Sequence, residues 1–204
     1  RSPGEFYQLD IEMSFVNQKD IFNIVEKLLN NLFNKFSDKK IKDKKFPTIT
    51  FSDAILKYGT DKPDLRNPLE ICDVTEIFKR QDVKFEIFKK LVSEGSIVRA
   101  IVTKKTSNKP RSFFDNLDKW AKEEGSNGLA YFTFEKNNNE ISGKGPIGKF
   151  FAPEACKEII KISKAEIGDS IFFACGKKKI VEKFLSVTRD KIAKDLNLID
   201  ENLF

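Results

Sequence analysis

Three polar side chains spaced two residues apart near the start of the chain are the first candidates for chemistry. Gln8, Asp10 and Glu12 alternate with apolar residues in a pattern that runs over residues 6–15. A period of two predicts a β-strand with one buried face. Side chains two apart on a strand lie roughly 6–7 Å from each other, so they are close enough to hold a small zwitterion. A solvated sheet face is the alternative interpretation.

A glycine-rich string, GKGPIGK over residues 143–149, fits two nucleotide-binding patterns, G-x-G-x-x-G and G-x-x-x-x-G-K. Both patterns need a buried strand before the first glycine, and the segment that precedes Gly143 is polar. Phe150 stands where a P-loop has the Ser or Thr that binds Mg²⁺, and Pro146 lacks an amide donor. We therefore interpret the string as a turn.

Lysines are clustered at three places in the sequence. The clusters within residues 39–45 and 104–111 are interpreted as solvated loops. Lys177, Lys178 and Lys179 differ, because they stand at the predicted start of a helix, where positive charge opposes the helix dipole. Lysines beside free helix amides make a candidate phosphate site, and a solvated helix end is the alternative.

The composition excludes several kinds of chemistry. The 204 residues contain no His, which excludes Ser-His-Asp and Cys-His nucleophiles and His-ligated zinc from this segment. The net charge of +6 permits an anionic partner without demanding one. Cys72, Cys156 and Cys175 form no CxxC and predict buried thiols in a reducing compartment, without a metal site. Because no apolar run is long enough to span a membrane and no signal peptide is recognised, we expect a cytoplasmic protein.

Hydrophobic periodicity predicts the elements that position these residues. Helices are predicted at about residues 19–36, 52–59, 73–78, 112–124, 153–163 and 177–196, and strands at 6–15, 48–51, 84–88, 96–103, 128–135 and 169–174. Ser52 and Asp73 are predicted to cap the second and third helices, and Ser112 and Asp115 form a capping box for the fourth. Strands mixed with helices on one side of a sheet favour the α+β class.

Two strings in this sequence resemble the bacterial-type aspartyl-tRNA synthetases of class II. Residues 5–12 (EFYQLDIE) resemble the end of motif 2, where a loop rich in Arg and Asp runs into a strand reading Q-[IL]-D-x-E. Residues 58–66 (YGTDKPDLR) resemble that family's Y-G-[ST]-D-K-P-D-[LT]-R segment at nine consecutive positions. The strings at 128–131, 169–173 and 176–196 look like the GAD insertion domain that bacterial members carry between motifs 2 and 3. The likeness covers essentially the whole chain.

The resemblance implies a division into two parts. Residues 1–68 would be a partial class II catalytic core, with the end of motif 2, a helix and the YGTDKPDLR linker. Residues 69–204 would be a GAD-type insertion domain, a two-layer α/β module, so the whole chain would be α+β. The alternative is a non-catalytic RNA-binding or interaction module of GAD type. The motif 2 strand and the linker argue against it, because a free-standing module needs neither.

The resemblance also implies substrates and roles. The family activates L-aspartate with ATP and Mg²⁺ and transfers it to the 3′ end of tRNA. By residue matching, Asp10 would hold the α-ammonium of aspartate and Gln8 would lie beside the substrate. Ser2 stands where many members have a Gln that contacts ATP. Lys177, Lys178 and Lys179 would be candidate contacts to tRNA phosphates. The insertion domain as a whole would contact the acceptor arm of the tRNA.

The chain departs from the family pattern by lacking whole parts of it. It begins after the Arg expected to grip the α-phosphate and ends before motif 3, and the anticodon-binding barrel and motif 1 helix are also missing. We therefore expect the 204-residue chain to be inactive in aminoacylation and to bind neither ATP nor a metal by itself. The parent is expected to be a homodimer that charges aspartate tRNA, with asparagine tRNA left open.

Overall fold

The computed structural model describes residues 4–43, 45–137 and 140–204, and the chain divides into two compact units. The smaller unit is Arg1–Thr48 with Glu201–Phe204, and the larger unit is Ile49–Asp200. The boundary predicted between residues 68 and 69 separates two domains of the resembled family, whereas these units are separated by compactness. The predicted boundary therefore stays a prediction. None of the described helices is both long and apolar enough to cross a membrane.

The smaller unit is built on one long helix, α1 (Gln18–Phe36), as predicted. Its first turn is closed by a capping box, in which the Asn17 side chain accepts from the Asp20 amide and the Asp20 side chain accepts from the Asn17 amide. No residue of α1 is buried. Its apolar stripe, including Val25 at 44% exposure, is therefore uncovered within this unit.

The last residues of the chain complete the smaller unit. The Lys40 amide donates to the Asn202 carbonyl at 2.8 Å, and the Phe204 amide donates to the Lys40 carbonyl at 2.9 Å. The Phe204 ring stacks on that of Phe33, with 4.4 Å between centroids. Backbone pairing and ring contact thus fix these residues to the end of α1.

The strand predicted over residues 6–15 is wrong for the described part of this unit, where residues 6–13 form neither a helix nor a paired strand. Phe6 and Leu9 are 71% and 75% exposed. A strand needs a neighbour that pairs with its backbone donors and acceptors, and no described segment supplies one. The alternating sequence is present, but its apolar face is not covered.

The larger unit contains a five-stranded sheet in which every neighbouring pair of strands is antiparallel. Its strands in chain order are β1 (Ile71–Asp73), β2 (Ile97–Thr103), β3 (Ala130–Asn137), β4 (Glu140–Lys144) and β5 (Ser170–Gly176). They are arranged in the order β1-β2-β5-β3-β4. The helices are α2 (Phe51–Tyr58), α3 (Glu86–Ser93), α4 (Arg111–Glu123), α5 (Pro153–Ser163) and α6 (Lys178–Asp195). The predicted α+β class is confirmed.

The central strand β5 is buried on both faces. Ile171 and Phe173 belong to a hydrophobic cluster with residues of α3 and α5, whereas Phe172 and Ala174 belong to a second cluster with α4 and α6. Helices therefore cover both faces of the sheet, and the expected two-layer module is a three-layer one. This burial explains why β5 has a continuous apolar run in place of an alternating pattern.

Several predicted elements of the larger unit are confirmed, and others are corrected. The helices at α2, α4, α5 and α6 and the strands at β2, β3 and β5 lie close to their predicted positions. The strand predicted at 84–88 is wrong, because α3 occupies 86–93 and buries Val92 on its apolar face. The strand predicted at 48–51 is also wrong, since Thr50 caps α2 there.

Capping explains the remaining differences at the helix ends. The Thr50 hydroxyl, and not that of Ser52, accepts from the Asp53 amide at 3.1 Å. The capping box expected from Ser112 is not formed, because α4 starts at Arg111 after Pro110. The cap predicted at Asp73 is wrong, because the 3-10 helix Thr75–Lys79 has Val74 at its N-cap without a side-chain cap; Asp73 accepts from the Thr75 amide at 2.9 Å in the turn that precedes it.

One buried carboxylate joins two loops at an end of the sheet. Asp169 is 1% exposed and accepts from the Lys105 amide at 2.9 Å and the Glu166 amide at 2.8 Å. The Lys104 ammonium lies 2.9 Å from its second oxygen. The loop after β2 and the loop before β5 are therefore held by a single ionised side chain.

The substitution Asp169→Asn is expected to lower the free energy of unfolding by about 1–3 kcal/mol, because an amide nitrogen replaces an oxygen that accepts from backbone N–H groups. Urea denaturation measures the change. The control is Asp115→Asn, which alters an exposed pair with Arg111 at 3.4 Å and should change stability by less than about 0.5 kcal/mol. Equal losses in the two variants would contradict the role of Asp169.

Candidate functional site

The structure brings together two of the residues that were predicted to bind substrate. The Gln8 side-chain amide donates to Asp10 Oδ1 at 2.7 Å, and both side chains are exposed. The hydrogen bond shows that the two side chains lie side by side, although no strand forms at these residues. The hydrogen bond orients the Asp10 carboxylate, which is an acceptor suited to an ammonium group. Ser2, the predicted ATP neighbour, lies outside the described residues.

The YGTDKPDLR segment begins at the end of α2 and has a defined conformation. Gly59 ends the helix with φ +71°, and its amide donates to the Ile55 carbonyl at 3.0 Å. Further along, Arg66 grips Asp64 with two nitrogens, at 3.0 Å (Nε to Oδ1) and 2.7 Å (Nη2 to Oδ2). Hydrogen bonding from Arg66 lowers the pKa of Asp64, so this carboxylate stays ionised.

Arg189 of α6 fixes this segment to the larger unit. Its side chain is almost fully buried and donates to three backbone carbonyls, those of Leu69 at 2.6 Å, Asp64 at 2.8 Å and Asn67 at 2.6 Å. Its guanidinium also lies 4.9 Å from the centre of the Tyr58 ring. Desolvation lowers the pKa of Arg189, but the carbonyl acceptors and the ring keep a buried cation satisfied.

Asn67 strengthens the same junction from the other side. Its side-chain oxygen accepts from the Leu69 amide at 3.1 Å, and its nitrogen donates to the Arg189 carbonyl at 3.2 Å. Sequence reasoning treated residues 58–66 as a linker and did not identify Arg189 as its anchor. A signal was available, because Arg189 stands four residues after Leu185 and three before Ile192, on the buried face of α6.

The lysines at the start of α6 are exposed as expected. Lys177 occupies the N-cap position without a side-chain cap, and Lys178 and Lys179 begin the helix. None of the three forms an ion pair within 4.0 Å among the described residues. A cavity of about 710 Å³ lies beside Lys177, and Glu94 and Glu124 also line it. The charge of Lys177 is thus accompanied by two carboxylates, whereas Lys178 and Lys179 do not line this cavity.

The glycine-rich string is a turn, which confirms its interpretation. Strand β4 ends at Lys144, Gly145 has φ +137°, and a three-residue 3-10 turn covers Gly148–Phe150. A side chain at Gly148 would collide with the carbonyl of Gly143, so the two glycines permit a close backbone approach. An antiparallel strand and a short turn differ from the strand–loop–helix arrangement that either phosphate-binding pattern requires.

The cysteines are unsuited to nucleophilic or metal chemistry at neutral pH. Cys156 is buried, and Cys72 and Cys175 are half-buried. Desolvation raises the pKa of Cys72 to about 12 and the pKa values of Cys156 and Cys175 to about 11, which keeps all three thiols protonated. Within residues 4–43, 45–137 and 140–204, no group of three or more acidic or cysteine side chains is placed to hold a metal ion.

Comparison with known proteins decides the family. A model of class II tRNA synthetases of the D, K and N type matches residues 1–192. The chain belongs to the class II tRNA synthetases. The match includes the extended segment with Gln8 and Asp10 as well as the segment that Arg189 anchors. The resemblance inferred from the strings at residues 5–12 and 58–66 is therefore confirmed.

Three relatives within this class II family illustrate the similarity. The chain is 68% identical over all 204 residues to a protein of Pelagibacter ubique named aspartate–tRNA(Asp/Asn) ligase. Proteins with the same name from Ehrlichia chaffeensis and Methylorubrum populi are 50% and 48% identical over 204 residues. In each case the chain spans about a third of the relative's length, 34%.

The substitution Gly59→Ala is expected to destabilise the larger unit, because an added Cβ would collide with the Glu182 carbonyl and lie 2.9 Å from the Ser186 Cβ. Gly95→Ala is the control, since Gly95 also has positive φ (+90°) but has nothing within 4 Å of an added Cβ. Backbone strain alone costs about 1–2 kcal/mol. We expect Gly59→Ala to cost about 1–3 kcal/mol more than the control in urea denaturation. Equal losses would show that the linker is not held against α6.

Proposed function

We propose that this chain is a segment of an aspartate–tRNA ligase, which activates L-aspartate with ATP and Mg²⁺ and transfers it to the 3′ end of tRNA. The observation that carries the proposal is the 68% identity over all 204 residues to a relative with that name. In this proposal residues 1–68 belong to the catalytic core and residues 69–204 form the GAD-type insertion. A separate GAD module is disfavoured, because the similarity to whole ligases includes residues 1–68.

We assign the aspartate-binding role to Asp10 and Gln8. The Gln8 amide holds one oxygen of the Asp10 carboxylate, and the second oxygen is then oriented toward a substrate ammonium. A charge-assisted hydrogen bond of this kind is stronger than a neutral one and selects an α-amino acid. Gln8 would lie beside the same substrate, and Ser2 is proposed to lie near ATP.

In this proposal the aspartate carboxylate attacks the α-phosphate of ATP, which forms aspartyl-adenylate and releases pyrophosphate. The acidic residues described here form no cluster suited to Mg²⁺, so we propose that its ligands come from other segments of the longer protein. This chain's contribution to the first reaction step is therefore substrate binding and orientation.

For the second step we propose tRNA as the partner. The relatives' name includes both aspartate and asparagine tRNAs, and we propose both as substrates of the parent enzyme. Lys177, Lys178 and Lys179 are proposed to contact tRNA phosphates from the insertion domain. The parent enzyme is proposed to be a cytoplasmic homodimer.

In the full-length protein, Asp10→Asn is expected to reduce aspartate-dependent ATP–pyrophosphate exchange by raising the KM for aspartate. Loss of a hydrogen bond to a charged group corresponds to about 1.5–3 kcal/mol, or roughly 10- to 150-fold in kcat/KM. The matched control is Glu5→Gln, which makes the same carboxylate-to-amide change on the same exposed segment but outside the Q-[IL]-D-x-E pattern. An Asp10→Asn enzyme that equals the control would refute the assignment of Asp10.

The 204-residue chain alone is expected to form no aspartyl-tRNA, because Gln8 and Asp10 are solvent-exposed on an unpaired segment and are not preorganised around a substrate. The measurement is incorporation of labelled aspartate into acid-precipitable tRNA, with the full-length protein as the positive control. Turnover by the isolated chain would mean that these residues already form a working site.

A further inference from the structure

Most exposed lysines on the other helices of the larger unit are paired with an acid one turn away. Such pairs occur on α4 and α5, with N···O distances between 2.6 and 3.9 Å: Lys119–Glu123, Lys122–Asp118, Lys157–Glu154 and Lys161–Glu158. Pairs at these spacings compensate charge along a helix surface. On these helices the lysine charges are therefore balanced locally.

The outer face of α6 departs from this rule. Lys179, Lys183 and Lys194 are exposed, and none of them forms an ion pair within 4.0 Å in the part of the chain that the structure describes. At 100° per residue the three fall within one narrow sector of the helix, and at 1.5 Å per residue they span about 22 Å. Lys179 and Lys183 are one turn apart, where like charges repel each other.

The acid that shares this face is already occupied. Asp190 accepts from the Asn67 side chain at 3.2 Å and lies 3.5 Å from the Arg189 guanidinium. It contributes to the junction with the 58–69 segment, so it compensates Lys183 and Lys194 only weakly. The α6 outer face, defined here by Lys179, Lys183 and Lys194, is consequently left with a net positive charge.

Two apolar side chains border this charged face. Ile180 and Val187 are 65% and 43% exposed and lie about 100° and about 80° around the helix from Lys179, just beyond Lys194. An RNA strand offers both kinds of contact, because its phosphates are anionic and the faces of its bases are apolar. The pattern fits a phosphodiester backbone better than it fits a small free anion, which one lysine would satisfy.

We propose that the α6 outer face is a docking surface for the phosphate backbone of RNA. The inference rests on the proposed function, in which that RNA is tRNA. It identifies the surface of the proposed insertion domain that binds the tRNA. The surface differs from the cluster at the helix start, because Lys177 shares its cavity with Glu94 and Glu124. Lys179 belongs to both groups, so the proposal extends the contact from the helix start along the side of α6 to Lys183 and Lys194.

The experiment compares two double variants of the full-length protein. K179Q/K183Q removes two lysines one turn apart from the α6 outer face, and K157Q/K161Q removes two with the same spacing from α5, where both are paired. Affinity for tRNA is measured against salt concentration. Each lost phosphate contact lowers the slope of log K against log salt by about 0.7–0.9, so the first variant should lose about 1.4–1.8 and the second nothing.

The same slopes predict roughly 25- to 60-fold weaker tRNA binding by K179Q/K183Q at 0.1 M salt. K179R/K183R keeps both charges and should retain the wild-type slope, which separates charge from any change in folding. Equal slopes for K179Q/K183Q and wild type, or an equal loss in the α5 control, would overturn the proposal. Loss of binding to phosphatidylserine vesicles with tRNA binding intact would also overturn it, in favour of a membrane surface.

Aspartate-dependent pyrophosphate exchange separates this inference from the proposed function, because amino-acid activation precedes the tRNA step. Normal exchange in K179Q/K183Q with weaker tRNA binding supports both conclusions. Normal exchange with unchanged tRNA binding overturns the docking surface alone. Absence of exchange in the wild-type full-length protein overturns the proposed ligase function itself.

Discussion

The larger unit depends on Arg189, a buried cation whose hydrogen bonds take the place of those that a helix or strand would supply. Residues 64–69 follow no helix or strand, and their carbonyl groups have no ladder to join. Arg189 satisfies three of them from α6, and a guanidinium is suited to this because its donors diverge from a rigid plane. The donors of a lysine share one nitrogen atom, whereas Arg189 reaches the three carbonyls from two separate nitrogens, Nε and Nη2. The conformation of a non-repetitive segment is thus encoded in a distant helix.

The position of α6 makes that contact possible. Helix α6 packs against Phe172 and Ala174 of β5. Val181 and Leu185 of α6 belong to the same hydrophobic cluster as these two residues. One side of the helix is therefore fully engaged by the sheet and the linker. Its opposite side carries Lys179, Lys183 and Lys194, which form no ion pair within 4.0 Å with a described residue, so a single helix separates the apolar interior from the surface available to a polyanion.

The sequence was sufficient to predict most elements whose periodicity is local. Helices α1, α5 and α6 and strands β2 and β5 have a clear period or a characteristic start residue, such as Pro153 at the first turn of α5. The prediction failed where the apolar run was short, as at α3, because four to eight residues do not distinguish a strand from a buried helix. It also failed for residues 6–15, where pairing depends on a neighbour and not on the pattern itself.

The candidate site was predictable only in part, for a related reason. The Gln8–Asp10 pair follows from spacing, since residues two apart share a side of an extended chain. The role of Arg189 was not predicted, because a periodic apolar stripe identifies the buried face of a helix but not the segment that packs against that face. The three-layer arrangement was missed as well, because helix sequences report that an apolar face exists without saying which side of the sheet it covers.

Residue 189 touches residue 69 across a separation of 120 positions, so the polypeptide returns to the place from which it departed. A module whose two ends meet can be carried in a loop of another domain without forcing that loop apart. The Arg189 guanidinium thus closes a long loop inside the larger unit, which extends beyond both residues over Ile49–Asp200.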